Sequence, residues 1–93
     1  MIESFSCGET ESIFRGLRSR RLPAEIQQAA RRKLVYLNEA NDLADLRSPP
    51  GNRLEALKGN LAGQHSIRIN QQWRICFRWD NGGAHEVRII DYH

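Results

Sequence analysis

Between Gln64 and Trp79 the chain reads QHSIRINQQWRICFRW, two runs of strict alternation separated by a polar break. A chain with that pattern is committed to an antiparallel sheet with two unlike faces. In the first run Ile67 and Ile69 fall on one face and Ser66, Arg68 and Asn70 on the other. After Asn70-Gln71-Gln72, Trp73, Ile75, Phe77 and Trp79 share one face, while Arg74, Cys76 and Arg78 share the opposite one. A third run, Glu86 to Tyr92, sets Val87 and Ile89 against Arg88 and Ile90, and the Asp80-Asn81-Gly82-Gly83 turn joins it antiparallel to the second. The prediction is a three-stranded C-terminal meander with an apolar face to bury and an open face carrying Arg68, Arg74, Arg78 and Arg88.

The first half of the chain carries helical spacing instead. Thr10 or Glu9 is suited to cap a short helix running to Leu17, with Ile13, Phe14 and Leu17 packing on one side. Pro23 can open a second helix, and Ile26, Ala29, Ala30, Leu34 and Leu37 follow at spacings of three and four to about Asn41. Asp42 can cap one more turn that sends Leu43 and Leu46 to the core. Ile2 to Cys7 alternates weakly and is predicted to add an N-terminal strand. Ser48-Pro49-Pro50-Gly51-Asn52 excludes both helix and central strand, and it divides the helical half from the sheet-forming half. Arg53 to Leu57 is predicted as a strand or an extended connector. Helices followed by strands give a compact α+β domain, with the helices on one face of a mostly antiparallel sheet. At 93 residues the whole chain, 1–93, is expected to form one domain.

No apolar run approaches the roughly 18 residues of a membrane span, and MIESFSCGETES is unlike a secretory leader, so the cytoplasm is the expected compartment. Cys7 and Cys76, in two predicted strand regions, are expected to be reduced. The net charge of +3 is mild but uneven. From Arg15 to Lys33 seven basic residues (Arg15, Arg18, Arg20, Arg21, Arg31, Arg32 and Lys33) stand against one acid, Glu25. Such a tract points to a polyanion or an acidic protein as partner.

Several kinds of chemistry find no foothold. His65, His85 and His93 have no ligand spacing, the cysteines have no CxxC partner, and Gly82-Gly83 joins two strands; no metal or cofactor is expected. There remain an arginine-bearing sheet face, Lys58 beside a glycine, and the closing Asp91-Tyr92-His93. Singly, each has a plainer explanation: a solvated arginine, a polar turn, a core ring, a frayed terminus. Together they meet the needs of metal-free RNA cleavage. That reaction requires a base for the 2′-hydroxyl proton, an acid for the leaving 5′-oxygen, and cations for the charge building on phosphate. His93, Asp91 or Tyr92 could handle protons, and Arg74 with Lys58 could hold the phosphate.

LEALKGN from Leu54, GQHSIRINQQWRICFRW from Gly63 and the closing IIDYH resemble the HigB group of toxins in the RelE/ParE superfamily. MIESF, ARRKL and PPGNRLEALKG add to the resemblance in the same order, so it spans nearly the whole chain. It implies a type II toxin that cleaves mRNA in the ribosomal A site and is neutralised by a HigA-type antitoxin. That antitoxin's helix-turn-helix would bring operator DNA to the complex. Carried over position by position, the family's site becomes Lys58, Arg74, Asp91, Tyr92 and His93. Two departures bear on it: Glu55 stands where some relatives have histidine, and Asn60 replaces a frequent acid. A glutamate could act as base, but facing the site its charge would oppose phosphate. Arg68, Arg78 and Arg88, with Arg15, Arg18, Arg20, Arg21, Arg31 and Arg32, are the expected RNA- or ribosome-binding residues. Two other readings compete: a ParE-like inhibitor of DNA gyrase, which cuts no RNA and has no need of the terminal trio, and a simple nucleic-acid-binding module.

Overall fold

The computed structural model describes residues 1–92 and shows two helices packed against one face of a four-stranded antiparallel sheet. The helices are α1 (Gly8–Phe14) and α2 (Ala24–Glu39); the strands are β1 (Glu55–Ala56), β2 (Gln64–Arg68), β3 (Trp73–Asp80) and β4 (Gly83–Asp91), side by side in chain order. The register sets Ile67 opposite Ile75 and Ile75 opposite Ile89, so the expected apolar face forms as a continuous row. Against it α2 lays Ile26, Ala30, Leu34 and Leu37, and α1 adds Ile13, all buried. Burying each isoleucine or leucine among them contributes about 1.5–3 kcal/mol, enough to fix which face of the sheet looks inward. Asn81 (φ 50°) and Gly82 (φ 72°) are both left-handed, which gives the Asn-Gly hairpin between β3 and β4 the twist its strands require.

Four details depart from the sequence reading. Helix α1 starts at Gly8, so Thr10 is an interior residue rather than the cap; its hydroxyl is fully buried and accepts the backbone N–H of Ile89 at 2.9 Å. The same helix stops at Phe14. Left-handed Gly16 (φ 84°) turns the chain, Gly16 N–H reaches the Ile13 carbonyl and Leu17 N–H reaches that of Ser12, and Leu17 swings away from the core to stand 61% exposed. The N-terminal segment makes no strand of its own. It runs parallel along the outer edge of β4 through isolated bridges of Ile2 with Ala84 and Phe5 with Val87, and Cys7 becomes the residue before α1. Finally, β4 begins at Gly83 rather than Glu86, because a bulge at left-handed Glu86 (φ 56°) absorbs one extra residue opposite Cys76 to Arg78 and keeps pairing on both sides. Cys7 and Cys76 are free thiols.

The Pro-Pro-Gly loop is tied down by Asn52. This fully buried side chain donates to the Leu46 and Ser48 carbonyls and accepts a 2.5 Å bond from the Lys33 ammonium. Lys33 therefore leaves the basic surface predicted for it: it is buried, lies 5.6 Å from the Tyr36 ring centre, and has its pKa lowered by desolvation and then by Arg32.

Candidate active site

Arg74 sits near the start of β3 on the polar face of the sheet, yet only 6% of it is exposed. A buried guanidinium must have its donors met. Nε donates to the Ser66 hydroxyl at 2.7 Å, and Nη2 donates to the Arg53 carbonyl at 2.6 Å and the Ser66 carbonyl at 3.3 Å. Ser66 is itself fully buried one strand over. The Arg53 carbonyl can point at Arg74 because Arg53 takes the left-handed conformation (φ 45°, ψ 57°) directly after Asn52. The expectation of an open arginine face is thus corrected at its centre: Arg74 is an anchored, buried cation rather than a solvated one.

Two further groups close over it. The Tyr92 ring centre lies 5.5 Å from the guanidinium carbon, a cation–π arrangement, and Glu55 Oε2 lies 3.8 Å from Nη2. The Tyr92 hydroxyl donates to Glu55 Oε1 at 2.9 Å. That bond, and the carboxylate charge behind it, raise the phenol's pKa above its ordinary value, because ionising it would place two anions together. Glu55 reaches this position because β1 pairs it with Ser66, the same residue that holds Arg74. Around the three lies an open cleft of about 500 Å³ whose walls also include Arg53, Arg68, Asn70 and Gln71.

The sequence-predicted residues divide accordingly. Arg74, Tyr92 and Arg68 line the cleft. Lys58 is exposed at the start of the 3-10 turn Gly59–Leu61 and is not part of the cleft wall. Asp91 pairs with Trp73, on the core-facing side of the sheet, and accepts a 3.1 Å bond from Gln72; the strand's alternation turns it away from Arg74 while bringing Tyr92 towards it. His93 lies outside the described residues. Arg88, bonded to Gln64 Oε1 and the Glu86 carbonyl, and Arg78, 3.7 Å from Asp80, stay further along the same face. Arg15 pairs with Glu11 at 2.8 Å, Arg20 and Arg21 are exposed on the turn between the helices, and Arg18, Arg31 and Arg32 line a groove on the helix layer.

Two parts of the site escaped the sequence reading. Period two puts Ser66 on the arginine face but gives it no role; a small hydroxyl on the same face as Arg68 is the available signal. The Arg53 carbonyl carries none, because its direction depends on the left-handed backbone conformation of Arg53, which no side-chain pattern announces.

Comparison with known proteins places the chain in a family. The sequence profile of the HigB-like toxin family, RelE-like toxins of type II toxin–antitoxin systems, matches residues 9–93. The chain is 51% identical over 67 residues to Toxin HigB-1 of Vibrio cholerae serotype O1, covering 72% of this chain and 70% of that one. It is 29% identical over 93 residues to Endoribonuclease HigB of Proteus vulgaris, with both chains fully covered. The fold superimposes on the YoeB–YefM complex from Staphylococcus aureus with a TM-score of 0.62 at 16% identity, covering 100% of this chain and 98% of that one. On the profile match over residues 9–93 and the 51% identity to a HigB toxin, the chain belongs to the HigB-like family of RelE-like toxins.

Proposed function

We propose that this chain is a ribosome-dependent endoribonuclease that cuts mRNA in the A site and so halts translation in the cytoplasm. In this reading a HigA-type antitoxin restrains it, and operator DNA is met only through that antitoxin's helix-turn-helix. The observation that carries the reading is Arg74, a cation fixed by three hydrogen bonds at the wall of a cleft shared with Tyr92, Glu55 and Arg68. A pre-positioned guanidinium requires little reorganisation as charge builds on a phosphate, and this is what metal-free phosphodiester cleavage needs.

The chemistry then runs on this chain's own groups. A base removes the 2′-hydroxyl proton, the 2′-oxygen attacks phosphorus, and the bond to the 5′-oxygen breaks as that oxygen takes a proton from an acid. Glu55 is the base candidate that faces the cleft. Histidine is a side chain suited to proton transfer near neutral pH, and His93, one residue beyond Tyr92 in the chain, is the acid candidate. Tyr92 stacks on or orients the RNA, and Lys58 supplies charge from outside the cleft wall. Asp91, turned to the other side of the sheet, acts through the position of the terminal segment. Arg20, Arg21, Arg78 and Arg88 supply electrostatic contact with ribosomal RNA.

Primer extension on a defined mRNA tests this, with and without programmed ribosomes, using the unaltered chain, Arg74→Ala and His93→Ala. New 5′ ends within A-site codons are expected only with ribosomes and the unaltered chain. Growth arrest without any cut removes the nuclease assignment and makes gyrase the next target to assay.

A further inference from the structure

Helix α2 carries apolar residues outside its core stripe as well. Its core stripe faces the sheet, but Val35 stands on the opposite side of the helix with Tyr36 beside it, positions that a merely solvated helix fills with polar residues. Between this outward face and the end of α1 lies a groove of about 550 Å³, with Ile13, Leu17 and Val35 among its walls and Arg18, Arg31 and Arg32 bringing the charge. No aspartate or glutamate lines it. Leu17, at 61% exposure, is put there by the turn at Gly16, and it is one of three large hydrophobic side chains exposed among the described residues.

The groove is also pre-formed. The loop beyond Leu17 is fixed by Ser19, whose hydroxyl accepts the Arg21 and Leu22 N–H groups and donates to Glu9. From α2, the Gln27 amide accepts the Ser19 N–H and donates to the Ser19 and Leu22 carbonyls. A surface held open in this way loses little freedom on binding.

We infer that this groove receives an amphipathic helix of the antitoxin, with aliphatic residues against Leu17 and Val35 and acidic residues against Arg18, Arg31 and Arg32. A helix laid in a groove uses this combination of apolar anchors and flanking charge. An RNA backbone would satisfy the arginines but would leave the aliphatic surface wet. The inference rests on the toxin reading above, and it moves three arginines of the basic tract from ribosomal RNA to a protein partner.

The test is titration of the full-length antitoxin encoded with this chain into the unaltered chain, Leu17→Asp, and Arg31→Glu/Arg32→Glu. Both variants are expected to weaken the complex at least about tenfold, the scale of a contact that carries interface energy. Leu17→Asp is expected to keep its melting temperature and its cleavage of ribosome-bound mRNA. Unchanged antitoxin affinity in both variants overturns the inference, as does an arginine variant that loses ribosome binding alone, which would make the groove an RNA surface. Hydrogen exchange on the unaltered chain reads the same contact without any substitution: antitoxin must slow exchange in residues 13–18 and 27–36, and protection confined to other segments overturns the assignment. An unaltered chain that binds antitoxin at this groove but cuts no mRNA refutes the nuclease reading and leaves the docking site standing.

Discussion

Glu55 and Tyr92 lie 37 residues apart in sequence, yet the phenol of one donates to the carboxylate of the other at 2.9 Å, and the pair covers the guanidinium of Arg74. The bond makes Tyr92 a reporter of the cleft. A raised pKa means the protonated phenol is the form the fold favours, so the contribution of this bond is complete below the ordinary tyrosine range near pH 10 and is lost as pH climbs through the raised value. In a Tyr36→Phe background, ultraviolet titration should show Tyr92 ionising later than free tyrosine. Adding Glu55→Gln should bring the transition back towards the ordinary value, and an unmoved transition would mean that Glu55 does not hold the ring.

Arg74 should not tolerate lysine. One ammonium cannot serve the Ser66 hydroxyl and the Arg53 carbonyl together in the geometry of a guanidinium fork. Arg74→Lys is expected to lower cleavage by about 10²–10³-fold, the scale of losing a fixed donor to a developing anion. Single-turnover cleavage on programmed ribosomes measures it.

Ser66→Ala removes the acceptor of Arg74 Nε in a fully buried setting. A loss of about 1–3 kcal/mol in urea unfolding is expected, the cost of a buried donor left unmet. Cleavage should fall too, because the arginine then turns. Ser66→Thr retains the hydroxyl and should recover part of both.

At Asn52, aspartate should be worse than its new ion pair with Lys33 suggests. The Asn52 amide donates to the Leu46 and Ser48 carbonyls, and a carboxylate would set an anion against both of those oxygens. Asn52→Asp is therefore expected to destabilise the chain by about 2–3 kcal/mol, with the midpoint of chemical unfolding as the measurement. It should also reduce cleavage, since the Arg53 carbonyl that holds Arg74 follows directly in the chain.

Much of this was legible in the residues, and the exceptions share a cause. Alternation in the segment 64–79 revealed the two faces of the sheet because one face is almost wholly aliphatic and aromatic, and the Asn81-Gly82 pair marked its hairpin. Spacing of three and four revealed α2. Period two also put Arg74 on the polar face, but it carried no information about depth, so a buried arginine read like an exposed one. The same period divides the closing residues, and only Tyr92 of the described pair lines the cleft. Asp91 and Tyr92 are adjacent in sequence, and adjacency in a strand separates side chains to opposite faces. Lys33 read as surface for want of any sign that a loop 19 residues away would supply Asn52 to it.

The segment from Met1 to Ser6, bridged to β4, limits how the edges of this sheet can meet other chains. Its backbone exchanges hydrogen bonds with Ala84 and Val87, so that border of the sheet is already occupied, and the other border, β1, is two residues long. Strand addition by another polypeptide therefore finds little purchase. With one border occupied and the other this short, little backbone is offered for edge-to-edge pairing, and recognition falls to side chains presented from the faces of the sheet and helices.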